Sequence, residues 1–172
     1  MKSSIISVIL LLLLGGCISK KKQVTLSKSK DSIQKSDSST YRPLKLFKGD
    51  TLAFVQESIL NRKDYYIGKE LRVFLTDLSI PIKVYTYGKN PNNIYVSNYL
   101  SLLVNNYFQQ NAKLAKGEDP IDLVIVWKNP INYEELEKIS KENKYKWTKE
   151  VQDYFGKQIV GDIVKTDFKL TK

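Results

Sequence analysis

The sequence predicts an α+β domain, with helices packed on a small, mostly antiparallel sheet and preceded by a signal peptide and a flexible tether. Three observations carry that expectation. Apolar residues recur at helical spacing, first as Leu52, Val55 and Ile59, then as Leu71, Phe74, Leu75 and Leu78. β-Branched and aromatic residues alternate through "IKVYTYG" and run almost unbroken through "IDLVIVW". The order along the chain is then helices, strands, helices and a last strand, which suits helices layered on a sheet.

Taken in order, Asp50 is a credible N-cap, and the first helix runs to about Lys63. A second helix covers Lys69 to Leu78, and Pro81 closes that region. "IKVYTYG" is a strand ending at Gly88, "KNPNN" is a turn, and Ile94 to Val104 alternate as a longer strand. Leu100, Leu103, Val104, Tyr107 and Phe108 also fit a helix, so residues 105–116 read as helix or strand; the preferred reading is strand to Val104, then a short helix to Lys116. "IDLVIVW" is expected at the centre of the sheet, because both of its faces are largely apolar. Asn132 with Glu135 makes a capping pattern for a helix to about Glu142. Trp147 to Phe155 is another helix, stopped by Gly156, and "QIVGDIV" is the last strand. No internal repeat is visible.

Composition narrows the chemistry. The chain has 172 residues, 42% hydrophobic and 27% charged, enough for a core of ordinary size. Its net charge is +10, and of 28 basic residues only Arg42, Arg62 and Arg72 are arginine. Lysine is a mobile point charge and arginine a planar fork, so this surface favours diffuse attraction over shaped anion recognition. There is no histidine, which excludes Ser-His-Asp and Cys-His nucleophiles and any zinc site that needs imidazole. A single cysteine excludes an internal disulfide and a cysteine metal cluster. Neither a Gly-x-Gly-x-x-Gly nor a Walker-type phosphate loop occurs.

That one cysteine, Cys17, sits where an apolar run ends. Met1-Lys2-Ser3-Ser4 is a short basic start, and Ile5 to Leu14 is nearly all apolar but too short to cross a bilayer, which takes about 20 residues. Small residues follow, then the thiol. Leu14-Gly15-Gly16-Cys17 resembles the lipobox of bacterial lipoproteins. The resemblance covers about 17 residues and says nothing of the mature domain. It implies cleavage between Gly16 and Cys17, a diacylglycerol on the Cys17 thiol and an acyl chain on the new amine, and no other cofactor. Gly15 is less usual in its slot than alanine or serine. The plainer alternative is an ordinary secretory signal or membrane anchor. Two or three chains hold firmly where one holds only marginally, at about 0.8 kcal/mol per buried methylene. The resemblance places the protein in the cell envelope: on the periplasmic face of the outer membrane in a bacterium with two membranes, and otherwise on the outer face of the plasma membrane.

Residues 17–40 are expected to form the lipidated, disordered tether, with six lysines against two aspartates after Cys17 and no periodicity. Its plain role is a spacer; Lys20, Lys21 and Lys22 also suit anionic headgroups, at about 1 kcal/mol each. Residues 41–172 form the single globular domain.

Inside the domain the signal for a site is weak. Tyr85 and Tyr87 share one strand face, and Tyr95 and Tyr99 another, with Tyr107 added if that strand ran so far. Exposed tyrosines beside lysines stack on sugars or bases, and sheet packing is the blander role. Trp127 and Trp147 read as core. Asp119, Asp122 and Asp162 are too scattered for a calcium loop, and Ser97 and Ser101 sit in no nucleophile elbow. The expected function is a membrane-anchored, non-enzymatic binding module for an envelope protein, a glycan or an anionic lipid. Nucleic acid is not an expected partner, since the chain leaves the cytoplasm. The alternatives are a small carboxylate-dependent hydrolase, or an immunity-type inhibitor of a periplasmic toxin. The positive charge disfavours a basic nuclease toxin as the target.

Overall fold

The computed structural model describes residues 40–168; Gly16, Cys17 and the tether lie outside the described residues. The four strands are β1 (Val84–Tyr87), β2 (Val96–Leu103), β3 (Asp122–Asn132) and β4 (Val160–Lys165). They pair in chain order, β1-β2-β3-β4, and every pair is antiparallel. The fold is α+β: helices cover one face of this meander.

Register decides which face. Tyr85 pairs with Leu102, Leu102 with Leu123, Leu100 with Ile125, and Ile125 with Ile163. All of these are buried, because residues two apart on a strand share a face. Helices α3 (Leu71–Leu78), α5 (Tyr133–Glu142) and α6 (Lys149–Gly156) turn Leu71, Phe74, Leu78, Leu136, Val151 and Phe155 onto them. The opposite face carries Thr86, Tyr99 and Val164, which are exposed.

β3 is central, as its composition suggested, though its burial alternates: Leu123, Ile125 and Trp127 are buried, while Val124 and Val126 are half-buried. It also runs five residues past Trp127, so that Ile131 and Asn132 pair with Ser97 and Val96. Pro130 is exposed there, where proline is tolerated. β2 begins at Val96, later than the pattern from Ile94 suggested.

The first helix is not continuous. α1 (Thr51–Phe54), capped by Asp50 on the Ala53 amide, opens into a π-helical turn over Val55–Ile59 and a 3₁₀ turn over Leu60–Arg62 before α2 (Lys63–Tyr66). The cause is Arg62. Its guanidinium donates to the Ser58 carbonyl at 3.3 Å, the acceptor an α-helix would give to the Arg62 amide. Arg62 is buried, with Asp77 at 3.3 Å and the rings of Tyr41, Tyr65 and Tyr66 within 6 Å of its guanidinium carbon. Periodicity cannot show this, since Arg62 reads as solvent-facing.

α3 starts two residues later than expected because the backbone of Gly68, Lys69 and Leu71 bonds the segment Gln158–Val160. Helix α4 (Tyr107–Ala115) settles the ambiguous stretch. Asn106 accepts from the Gln109 amide, and Gln109 accepts in return from the Asn106 amide, a reciprocal cap that starts a helix. α5 is capped by Asn132 on the Glu135 amide. α6 is capped by Thr148, so it opens after Trp147; Gly156 is its last residue.

Candidate functional site

α5 sets Tyr133, Glu137 and Lys141 four residues apart, hence on one stripe. Tyr87, at the end of β1, reaches that stripe from the sheet. Tyr145 reaches it from the turn after α5, where Lys144 and Tyr145 both have φ of 53°. Two successive non-glycine residues in the left-handed region cost free energy that the surroundings must offset. Here the Tyr145 amide bonds the Ser140 carbonyl at 2.8 Å, and its side chain meets Glu137.

Glu137 is the hub. Its Oε1 accepts from the Tyr87 hydroxyl at 2.9 Å and from the Tyr133 hydroxyl at 3.3 Å. Its Oε2 accepts from the Tyr145 hydroxyl at 3.4 Å and lies 3.3 Å from the Lys141 ammonium. The Tyr87 hydrogen bond, more than any other contact, holds the Glu137 carboxyl below its ordinary value. Burial first, then Glu137 itself, pushes the Tyr87 phenol up. At neutral pH the carboxylate is therefore ionised and the Tyr87 phenol is protonated.

A file of rings anchors this cluster in the core. Trp127 and Trp147 stack on Phe155 at 5.9 and 6.0 Å, Phe155 meets Tyr85 at 5.8 Å, Tyr85 stacks on Tyr87 at 6.2 Å, and Tyr87 meets Tyr133 edge-on at 5.9 Å. The Lys89 ammonium sits 4.8 Å from the Tyr133 ring centre. The surface outside is open, lined by Lys89, Tyr133, Glu134, Lys138 and Lys141.

The four tyrosines expected to form a binding surface do not lie together. Tyr85 is only 6% exposed and belongs to the core, the outcome that sheet packing implied. Tyr99 is on the opposite sheet face, its ring laid against Gly88 across the strand pair. Tyr87 is half-buried and joins Glu137. Tyr95 is 69% exposed just ahead of β2, and its carbonyl accepts from the Tyr133 amide at 2.8 Å. Glu137, Tyr133, Tyr145, Lys89 and Lys141 were not singled out in the sequence. The i, i+4, i+8 stripe of α5 was there to be read; the approach of Tyr87 and Tyr145 was not.

A deeper cleft of about 530 Å³ lies at the other end of the sheet, between residues 49–52 and 117–121. Leu52, Val104 and Ile121 line it, with Asp50, Glu118 and Asp119 at its rim. Each acid has its own partner: Asp50 the Ala53 amide at 2.9 Å, Glu118 the Lys113 ammonium at 3.2 Å, and Asp119 the Lys165 ammonium. Asp122 accepts from Ser101 and Thr166, and Asp162 pairs with Lys63 at 2.9 Å. The Ser97 hydroxyl donates to the Tyr99 carbonyl at 3.1 Å. Among the described residues no three acidic or thiol side chains come together as a metal site, and no helix is long and apolar enough to cross a membrane. Neither a family model, nor a curated protein, nor a solved structure matches the chain.

Proposed function

We propose that the protein is a lipid-anchored envelope protein that acts by binding a partner, and that its contact surface is the tyrosine and lysine surface organised by Glu137. One observation carries the choice of binding over hydrolysis. A carboxylate offers about four acceptor positions. Three phenols and one ammonium already occupy those of Glu137. Those contacts compete with a substrate for its lone pairs, and as an ionised group it has no proton to give a leaving group, which supports binding over hydrolysis. Its role is to fix three aromatic rings in place. Rings held before a partner arrives lose little freedom on binding, which suits tyrosine at an interface. The acids at the cleft are likewise taken, each by its own amide or lysine. The anchoring half of the proposal rests on the lipobox resemblance at Cys17.

The test has two arms. In-cell crosslinking and affinity capture should recover a discrete partner with the wild-type protein, and lose it in the Tyr95→Ala/Tyr145→Ala double variant. The purified protein should show no turnover of glycan, ester, peptide or phosphoester substrates, with or without calcium or magnesium. Turnover that survives repurification and vanishes on replacing one Asp or Glu contradicts the binding role.

A further inference from the structure

α4 is amphipathic the wrong way round. Its apolar side chains, Tyr107, Phe108, Ala112, Leu114 and Ala115, are all exposed, while the polar Gln110 and Lys113 are the half-buried ones. Phe108 is 88% exposed and Tyr107 74%, more than any other large hydrophobic among the described residues. The helix buries no side chain. A nine-residue helix without packing is marginal in water. This one is held by its ends: the reciprocal cap at Asn106 and Gln109, the bond from the Glu118 amide to the Lys113 carbonyl at 2.9 Å, and the Lys113–Glu118 ion pair at 3.2 Å. Gln109 and Asn111 are exposed as well, yet a helix fixed at its termini with Tyr107, Phe108 and Leu114 outward presents a largely apolar face for something outside the domain.

We infer that this face docks on the bilayer, with Phe108 and Tyr107 entering the interfacial region; the inference rests on the lipid-anchor reading of Cys17. Residues 18–39 separate Cys17 from the first described residue, and 22 residues reach at most about 75 Å in any conformation. An anchored domain therefore always has the membrane within range. The chemistry of the face fits. Phe108 is apolar throughout, Tyr107 keeps a polar tip, and Lys116, exposed at the end of the helix, adds a positive charge for anionic headgroups. A second copy of the chain fits poorly, since three large side chains fall short of the roughly 800 Å² per partner that a stable dimer buries.

The measurement uses acylated mature protein reconstituted in phosphatidylethanolamine–phosphatidylglycerol vesicles with brominated acyl chains. The Phe108→Trp variant should show blue-shifted emission and at least twofold more bromine quenching than wild type, whose own tryptophans are packed against Phe155. An unchanged unfolding midpoint shows that the variant is folded. An acylated, vesicle-bound variant whose added indole emits as in water and resists quenching overturns the inference and leaves the anchor standing. Absence of acyl mass on the mature N-terminus overturns the anchor, and the inference with it.

Discussion

Arg62 and Glu137 are both charged side chains set among tyrosines, and their surroundings give them different consequences on mutation. The Arg62 guanidinium is buried and leans on Asp77, which also accepts from the Tyr66 hydroxyl at 2.9 Å. Asp77→Ala strands that cation, so a loss of about 2–4 kcal/mol is expected by chemical denaturation. Arg62→Met removes both the charge and the need for a counter-charge, and is expected to cost less than half as much; a larger loss for Arg62→Met would refute the pairing as the source of stability. For Glu137 the informative variable is pH. Its folded value is depressed, so its contribution is present above about pH 4.5 and is lost as pH falls through the folded value. Glu137→Gln should therefore lower the midpoint at neutral pH and flatten the fall in stability below about pH 4.5. Tyrosine gives the opposite sign. Burial pushes Tyr154 up to about 12, so its protonated form supports the fold below pH 10, and that support is lost as pH rises towards 12. Alkaline unfolding should begin near pH 10, and Tyr154→Phe should delay it. Two glycines make a further contrast. A Cβ on Gly161 would lie 2.9 Å from the Lys128 backbone nitrogen and 3.0 Å from Trp127 backbone atoms, at the register shift between β3 and β4. A Cβ on Gly88 has as its nearest neighbours atoms of the Tyr99 side chain, chiefly its hydroxyl at 2.5 Å, the far end of a side chain that can swing aside. Gly161→Ala is expected to cost about 2 kcal/mol or more, and Gly88→Ala under about 1, measured in parallel denaturation curves.

At the scale of elements, legibility in the sequence followed the kind of contact that makes each element. β1, β3, α3 and α5 are read from periodicity and caps because one face of each is buried against the core, and burial is what periodicity records. The π-helical turn at Val55–Ile59 was hidden because the spacing of Leu52, Val55 and Ile59 fits an α-helix as well, and the burial of Arg62 against Asp77 is a long-range contact that periodicity does not record. The far end of β3 was hidden because pairing partners, not composition, decide where a ladder stops: β3 continues to Asn132, where Val96 and Ser97 meet it. α4 shows the reverse case. Its apolar pattern is real, yet it points outward, so the rule that apolar stripes face the core misplaces it. α5 gives the corresponding stability test. Leu136 is fully buried, so Leu136→Ala should cost about 2–5 kcal/mol, while Lys138→Ala at an exposed position should change stability by under about 0.5. Equal losses at the two positions would mean that α5 is not docked as described.

For the whole molecule, the division of labour proposed is anchor, spacer and binding domain. The domain half of that division is visible in one continuous core that draws on every long helix but α4 and on all four strands. Limited proteolysis should cut among Lys20 to Lys35 before it cuts inside β3, and a chain beginning near Ser39 should unfold cooperatively with little change in midpoint. The proposed anchor comes from local sequence alone, the resemblance to a lipobox at Cys17. The candidate surface was only half legible, because Tyr87, Tyr133 and Tyr145 come from three segments and converge on Glu137 only in the fold. The central claim is that this convergent surface, not the opposite sheet face, meets a partner. The direct measurement is site-specific photocrosslinking in cells from Tyr145 and, as the comparison, from Tyr99, each replaced in turn by a photoreactive phenylalanine analogue. A discrete adduct from position 145 with none from position 99 is expected; no adduct from 145, or the same adducts from both, would contradict it.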